Sequence, residues 1–75
     1  MINDGDLCEI KAFRTTVYKN DLLAWLNIKE SNNIGTLNHG ENVILVQREG
    51  VLRNPNLALV LTRFGLGVVY RDALE

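Results

Sequence analysis

One cysteine, one proline, one histidine and no long apolar run: what this 75-residue chain lacks excludes more than its contents declare. A single cysteine, Cys8, cannot close an intrachain disulfide, so the chain is no disulfide-stapled secreted scaffold, and a reducing cytosol is the expected setting. No segment approaches the ~20 consecutive apolar residues that a membrane-spanning helix requires. The opening Met-Ile-Asn-Asp-Gly-Asp is too acidic for a signal peptide. The expectation is a soluble, cytoplasmic protein that does not engage a membrane.

Catalytic chemistry is equally short of material. His39 stands in an Asn/Gly-rich turn without a second histidine, and Cys8 is far from it in sequence. A zinc site or a positioned general base needs partners that are missing here, so His39 reads as a solvated turn residue. Nothing beside Cys8 would lower its pKa, and Glu9 next to it would raise it, which suits a small buried apolar residue better than a nucleophile. Gly65-Leu66-Gly67 lacks the Lys and the Ser or Thr of a phosphate loop. Asp4 and Asp6 supply too few oxygens for a dedicated Ca²⁺ site. The reading is therefore no enzyme, no cofactor and no metal.

Charge of either sign is also scarce in net terms. Eight Lys and Arg against nine Asp and Glu leave a formal charge of -1, which gives no bulk attraction to phosphate backbones. The distribution is uneven, however: between residues 43 and 71 stand Arg48, Arg53, Arg63 and Arg71 with Glu49 as the one acid. A local basic face keeps a nucleic-acid or ribosome-associated β-barrel as the alternative reading.

What the chain does contain is β-structure. At 47% hydrophobic and 23% charged it is globular, and its length makes residues 1–75 a single domain with one thin core. Asn42–Gln47 (NVILVQ) and Leu57–Thr62 (LALVLT) are dense aliphatic runs, and residues 67–71 (GVVYR) form a third; turn residues between them predict consecutive antiparallel strands. Asn38-His39-Gly40-Glu41 predicts a tight turn after a short strand at 34–37, and residues 63–67 a sharp connection. Residues 7–13 predict a first strand, with Cys8, Ile10 and Ala12 inward and Leu7, Glu9, Lys11 and Phe13 on the other face.

Residues 14–33 admit two readings. Asn20 or Asp21 would cap a helical turn with Leu22, Trp25 and Leu26 on one face; alternatively Leu22, Ala24, Leu26 and Ile28 alternate as a strand. The preferred reading is a long excursion holding a helical turn. Five short strands with one long early loop predict a small, partly open all-β barrel.

The order of these pieces resembles the SH3-like barrels. Gly5-Asp6-Leu7 begins the first strand, residues 14–33 correspond to their long first loop, and Ile34-Gly35-Thr36 re-enters the sheet. Gly40-Glu41-Asn42 followed by Val43-Ile44-Leu45-Val46 looks like the start of their second main strand. Gly67-Val68-Val69 followed by Arg71-Asp72-Ala73-Leu74-Glu75 looks like their last strand, 3₁₀ turn and closing strand. The signalling branch binds Pro-rich helices through a tyrosine groove, but this chain has Tyr70 where the groove proline would stand and Ala73 where its tyrosine would be. The chain is more similar to prokaryotic, organelle and phage SH3-like small proteins, such as photosystem accessory subunits. That resemblance implies docking onto a larger complex rather than catalysis.

Phe13 and Trp25 are expected to plug the ends of the barrel, leaving Tyr18 and Tyr70 as the more exposed aromatics. Tyr and Arg are enriched at binding hot spots, which makes Tyr70, Arg71, Arg63 and Arg48, with Tyr18 and Trp25, the candidate partner surface. A second clue is surplus. Only alternate residues of a barrel strand face inward, yet residues 43–46 and 57–61 are apolar throughout. If Val43, Leu45 and their counterparts face out, residues 14–33 must cover them, with Trp25 and Leu26 as a lid. Otherwise a second copy or a protein partner must.

Overall fold

The computed structural model describes residues 2–48 and 54–74. Within them six strands form one antiparallel sheet: β1 (Leu7–Glu9), β2 (Arg14–Lys19), β3 (Asn33–Asn38), β4 (Asn42–Gln47), β5 (Leu57–Thr62) and β6 (Gly65–Tyr70). They lie in the order β1-β4-β5-β6-β2-β3. The all-β expectation holds. The strand count rises from five to six because Arg14–Lys19 pairs with both β3 and β6 instead of opening a loop. Consecutive Thr15, Thr16 and Val17 favour extended backbone, and Thr15 and Val17 turn inward.

The helical reading of the remaining excursion is the one observed. A single short helix, α1 (Leu22–Leu26), precedes a 3₁₀ turn at Ile28–Glu30. Asp21 is its N-cap: the carboxylate Oδ1 accepts a hydrogen bond from the Ala24 backbone N–H at 3.0 Å. Of the three residues expected on one face, Trp25 is buried while Leu22 and Leu26 are exposed.

β1 is shorter than expected and ends at Glu9. Beyond it the chain still bonds across: the Ile10 N–H donates to the Glu41 carbonyl at 2.8 Å, and the N–H groups of Gly40 and His39 donate to the carbonyls of Ile10 and Phe13 at 2.9 and 3.0 Å. These bonds tie the β1–β2 connection to the β3–β4 turn at one end of the sheet. They do not close it; β1 and β3 remain its two edges. The turn itself needs Gly40 at φ 89°, a left-handed conformation that a side chain disfavours.

β5 and β6 form an unbroken hairpin from Leu57↔Tyr70 to Thr62↔Gly65. The connection is only Arg63–Phe64, so β6 starts at Gly65, two residues before the expected strand. A 3₁₀ turn at Arg71–Ala73 follows, and no closing strand appears through Leu74. Residues 49–53 of the expected loop, and the chain's last residue, lie outside the described residues.

The curled sheet has an inner and an outer face, each with its own apolar cluster. The inner one gathers Ile10, Val17, Leu37, Leu45, Val60 and Val69, with Cys8 beside them and Ala12 partly buried against it. The outer one gathers Leu57, Leu59 and Val68 under Ala24, Trp25 and Ile28. Phe13 does not plug an end: it is 82% exposed, with the Arg14 guanidinium 5.8 Å from its ring centroid. It shares the outward phase of Glu9 and Lys11, and the chain turns away before reaching any core. No helix among the described residues is long and apolar enough to cross a membrane.

Candidate interaction surface

The surplus of apolar residues in β4 and β5 resolves into three fates. Val43 and Leu45 face inward, as do Ala58 and Val60, and all join the inner cluster. Leu57 and Leu59 face outward and lie beneath the short helix and the 3₁₀ turn that follows it. Ile44 and Leu61 also face outward, and no apolar cluster of the described residues includes them. Residues 22–30 thus form a lid over one half of the outer face. Trp25 is its anchor, but Leu26, expected beside it in that role, points to solvent.

The uncovered half has a definite geometry. Leu7 pairs with Ile44, Ile44 with Leu61, and Leu61 with Leu66, so four aliphatic side chains line up across β1, β4, β5 and β6. Their exposures are 71, 43, 44 and 47%, respectively. Directly opposite residues in an antiparallel sheet stand on the same face with Cβ atoms roughly 4.5–5.5 Å apart, so the four form one continuous ribbon. Single exposed leucines are ordinary on a protein surface, whereas a ribbon across four strands makes one contiguous apolar patch, and the largest such patch on a monomer is often functional.

The aromatic and basic residues singled out in the sequence divide differently. Tyr18 and Tyr70 meet edge to face at 6.4 Å between ring centroids, half-buried against the outer cluster. Trp25 is buried next to them and donates its indole N–H to the Asn20 side-chain oxygen at 3.0 Å. Two adjoining shallow hollows of about 380 and 350 Å³ share Tyr70 and Asn56; Arg71 borders the first and Trp25 the second. So Tyr18, Trp25, Tyr70 and Arg71 are neighbours.

Arg71 is also a structural strap. Its Nη2 donates to the carbonyls of Arg48, Asn54 and Leu57, holding the described ends of the β4–β5 connection to the end of β6. Its Nε is buried and has no partner among the described residues. Arg48 is tied a second time, its backbone N–H donating to Asp4 at 2.8 Å. Arg63 lies elsewhere, at the β5–β6 turn. There its Nε stands 3.0 Å from Glu41, its Nη2 donates to the Thr36 carbonyl, and its guanidinium stacks 4.6 Å from the centroid of Phe64.

Chemistry at the other candidate residues is sparse. Cys8 is buried, and burial pushes its thiol pKa up; Asp6 adds to the rise and Lys11 opposes it. A thiol in that state is a poor nucleophile. His39 is exposed in its turn. Among the described residues no three His, Cys, Asp or Glu side chains gather to hold a metal ion.

Comparison with known proteins adds no relative: no family model, no curated protein and no solved structure matches the chain. The surface must be read on its own physics. The ribbon Leu7–Ile44–Leu61–Leu66 was not among the residues singled out beforehand. One signal was present, since Leu7 shares its face with Glu9 and Lys11 and so points outward. The phase of β4 and β5, apolar on both faces, was not legible.

Proposed function

We propose that the chain is a non-enzymatic interaction domain of SH3-like kind, which docks onto a protein surface through the uncovered half of its outer sheet face. The observation that carries this reading is the four-strand aliphatic ribbon Leu7–Ile44–Leu61–Leu66, left exposed beside a lid that covers Leu57, Leu59 and Val68 of the same face. Exposed apolar surface of this continuity costs free energy in water, roughly 25 cal/mol per Å², and docking recovers it. The helix-bearing excursion between β2 and β3 and the 3₁₀ turn after β6 are the features that suggest the SH3-like kind. A nucleic-acid reading is less well supported, because Arg63 and Arg71 are engaged with Glu41 and with backbone carbonyls.

The test is a photo-cross-linking amino acid at position 44, compared with the same group at exposed His39 in the β3–β4 turn. In the native cell, a discrete protein adduct from position 44 that position 39 does not give is the expected result. No adduct at position 44 above that control would overturn the reading.

A further inference from the structure

We infer that the partner seated on the ribbon is a second copy of this chain, packed sheet face against sheet face. This rests on the interaction-domain reading above and names its occupant.

Two sheets associate either edge to edge or face to face. The edges here are poor templates. β1 is three residues long, and the β3 edge strand has groups already engaged: the Thr36 carbonyl by Arg63, and the Asn38 N–H by the Glu41 carboxylate at 2.6 Å. The outer face is the open route.

The composition of that face selects a copy over a foreign protein. Surfaces that recognise a different partner lean on Trp, Tyr and Arg anchors and complementary charge, whereas homodimer interfaces are the more apolar class. The ribbon is Leu, Ile, Leu, Leu, and the only charged side chain sharing its face within these strands is Glu9, at the β1 edge. Such a strip has no pattern of charge to match except its own lack of one. A two-fold axis lying in the interface sets Leu7 of one chain towards Leu66 of the other and Ile44 towards Leu61. The contact is isologous and both bare faces are covered at once.

Area agrees. The four ribbon residues alone expose on the order of 400 Å², within the range of the largest apolar patch on ordinary monomers. Val46 and the exposed leucines of the lid, Leu22, Leu23 and Leu26, carry on the order of 400 Å² more, so a dimer that engages them as well reaches on the order of 800 Å² per chain. That is about what each partner gives to a stable interface. A dimer of this kind uses the lid as part of its contact surface, which accounts for three exposed leucines on a five-residue helix.

Sedimentation equilibrium of the purified chain, from about 1 to 500 μM, reads the association directly. The expected result is a species of twice the chain mass. Leu61→Lys and Ile44→Lys, both at exposed positions that leave the inner core untouched, should raise its dissociation constant at least about a hundredfold with unchanged circular dichroism. A wild-type chain that stays monomeric throughout would overturn the second-copy inference. So would a dimer that both lysine variants leave intact. The two readings fail separately: a monomeric chain that still gives a position-44 adduct to a different protein refutes only the second copy, while absence of any adduct refutes the docking face itself.

Discussion

At Gly35 and Phe64 a missing side chain makes room for a ring. A Cβ on Gly35 would run into the Phe64 ring, and Arg63 stacks on that ring while holding Glu41 and Thr36. This small clasp joins the β5–β6 turn to β3 across the open end of the sheet. Gly35→Ala should therefore destabilise the fold by about 1–3 kcal/mol in urea titration, the cost typical of overpacking. Adding Phe64→Ala should restore much of that loss, because the two side chains compete for one space; strict additivity in the double-mutant cycle would sink the idea. Cys8 gives a second prediction. Its folded-state pKa is raised, so above roughly pH 8.5 the unfolded thiol loses its proton while the folded one keeps it. The folded state then binds more protons, and stability falls as pH rises from the unfolded towards the folded value. Cys8→Ala should abolish that part of the slope, which sets in near the thiol's ordinary pKa of about 8.5 and runs upward in pH from there, measured by denaturation at each pH.

Among the elements, α1 is the one whose existence needs an explanation. Five residues are far below the ~12–15 at which an isolated helix becomes marginally stable. It persists because Trp25 and Ala24 are buried on the outer face and because Asp21 caps it. Asp21→Ala should cost about 0.5–2 kcal/mol, and the loss should appear first as a loosened lid. The chain's single tryptophan reports this directly: its emission should shift to the red in the variant while the strand signal in circular dichroism holds. Unchanged emission would mean that packing alone holds the lid. The same element shows what was legible beforehand. Asp21 at a cap position and Trp25 as a lid residue could be read from local spacing. The exposure of Leu26 could not, because which side of a one-turn helix meets the sheet depends on where the sheet lies. β2 escaped notice for a similar reason: its Thr-Thr-Val run sits between polar residues and takes its strand state from pairing on both sides with β3 and β6.

Over the whole molecule, the two apolar clusters imply two levels of stability. The inner cluster is drawn from all six strands, whereas the lid belongs to one short excursion resting on the outer face. Native-state hydrogen exchange should find the amides of β4, β5 and β6 opening only with global unfolding, and those of 22–30 opening at lower free energy. Equal protection across both regions would show the lid to be part of one cooperative unit.

Local chemistry alone determined several things about this protein: strands at 42–47 and 57–62, the left-handed turn at Gly40, a buried Cys8 and an exposed His39. Each of these depends on neighbours in sequence. Only the tertiary structure decided which apolar residues are hidden. In strands that are greasy on both faces the period-two pattern carries no phase, so the register between strands distant in sequence sends Val43 inward and Ile44 out. The same register aligns Leu7, Ile44, Leu61 and Leu66 into one ribbon. The lid, too short to cover the whole face, leaves that ribbon exposed.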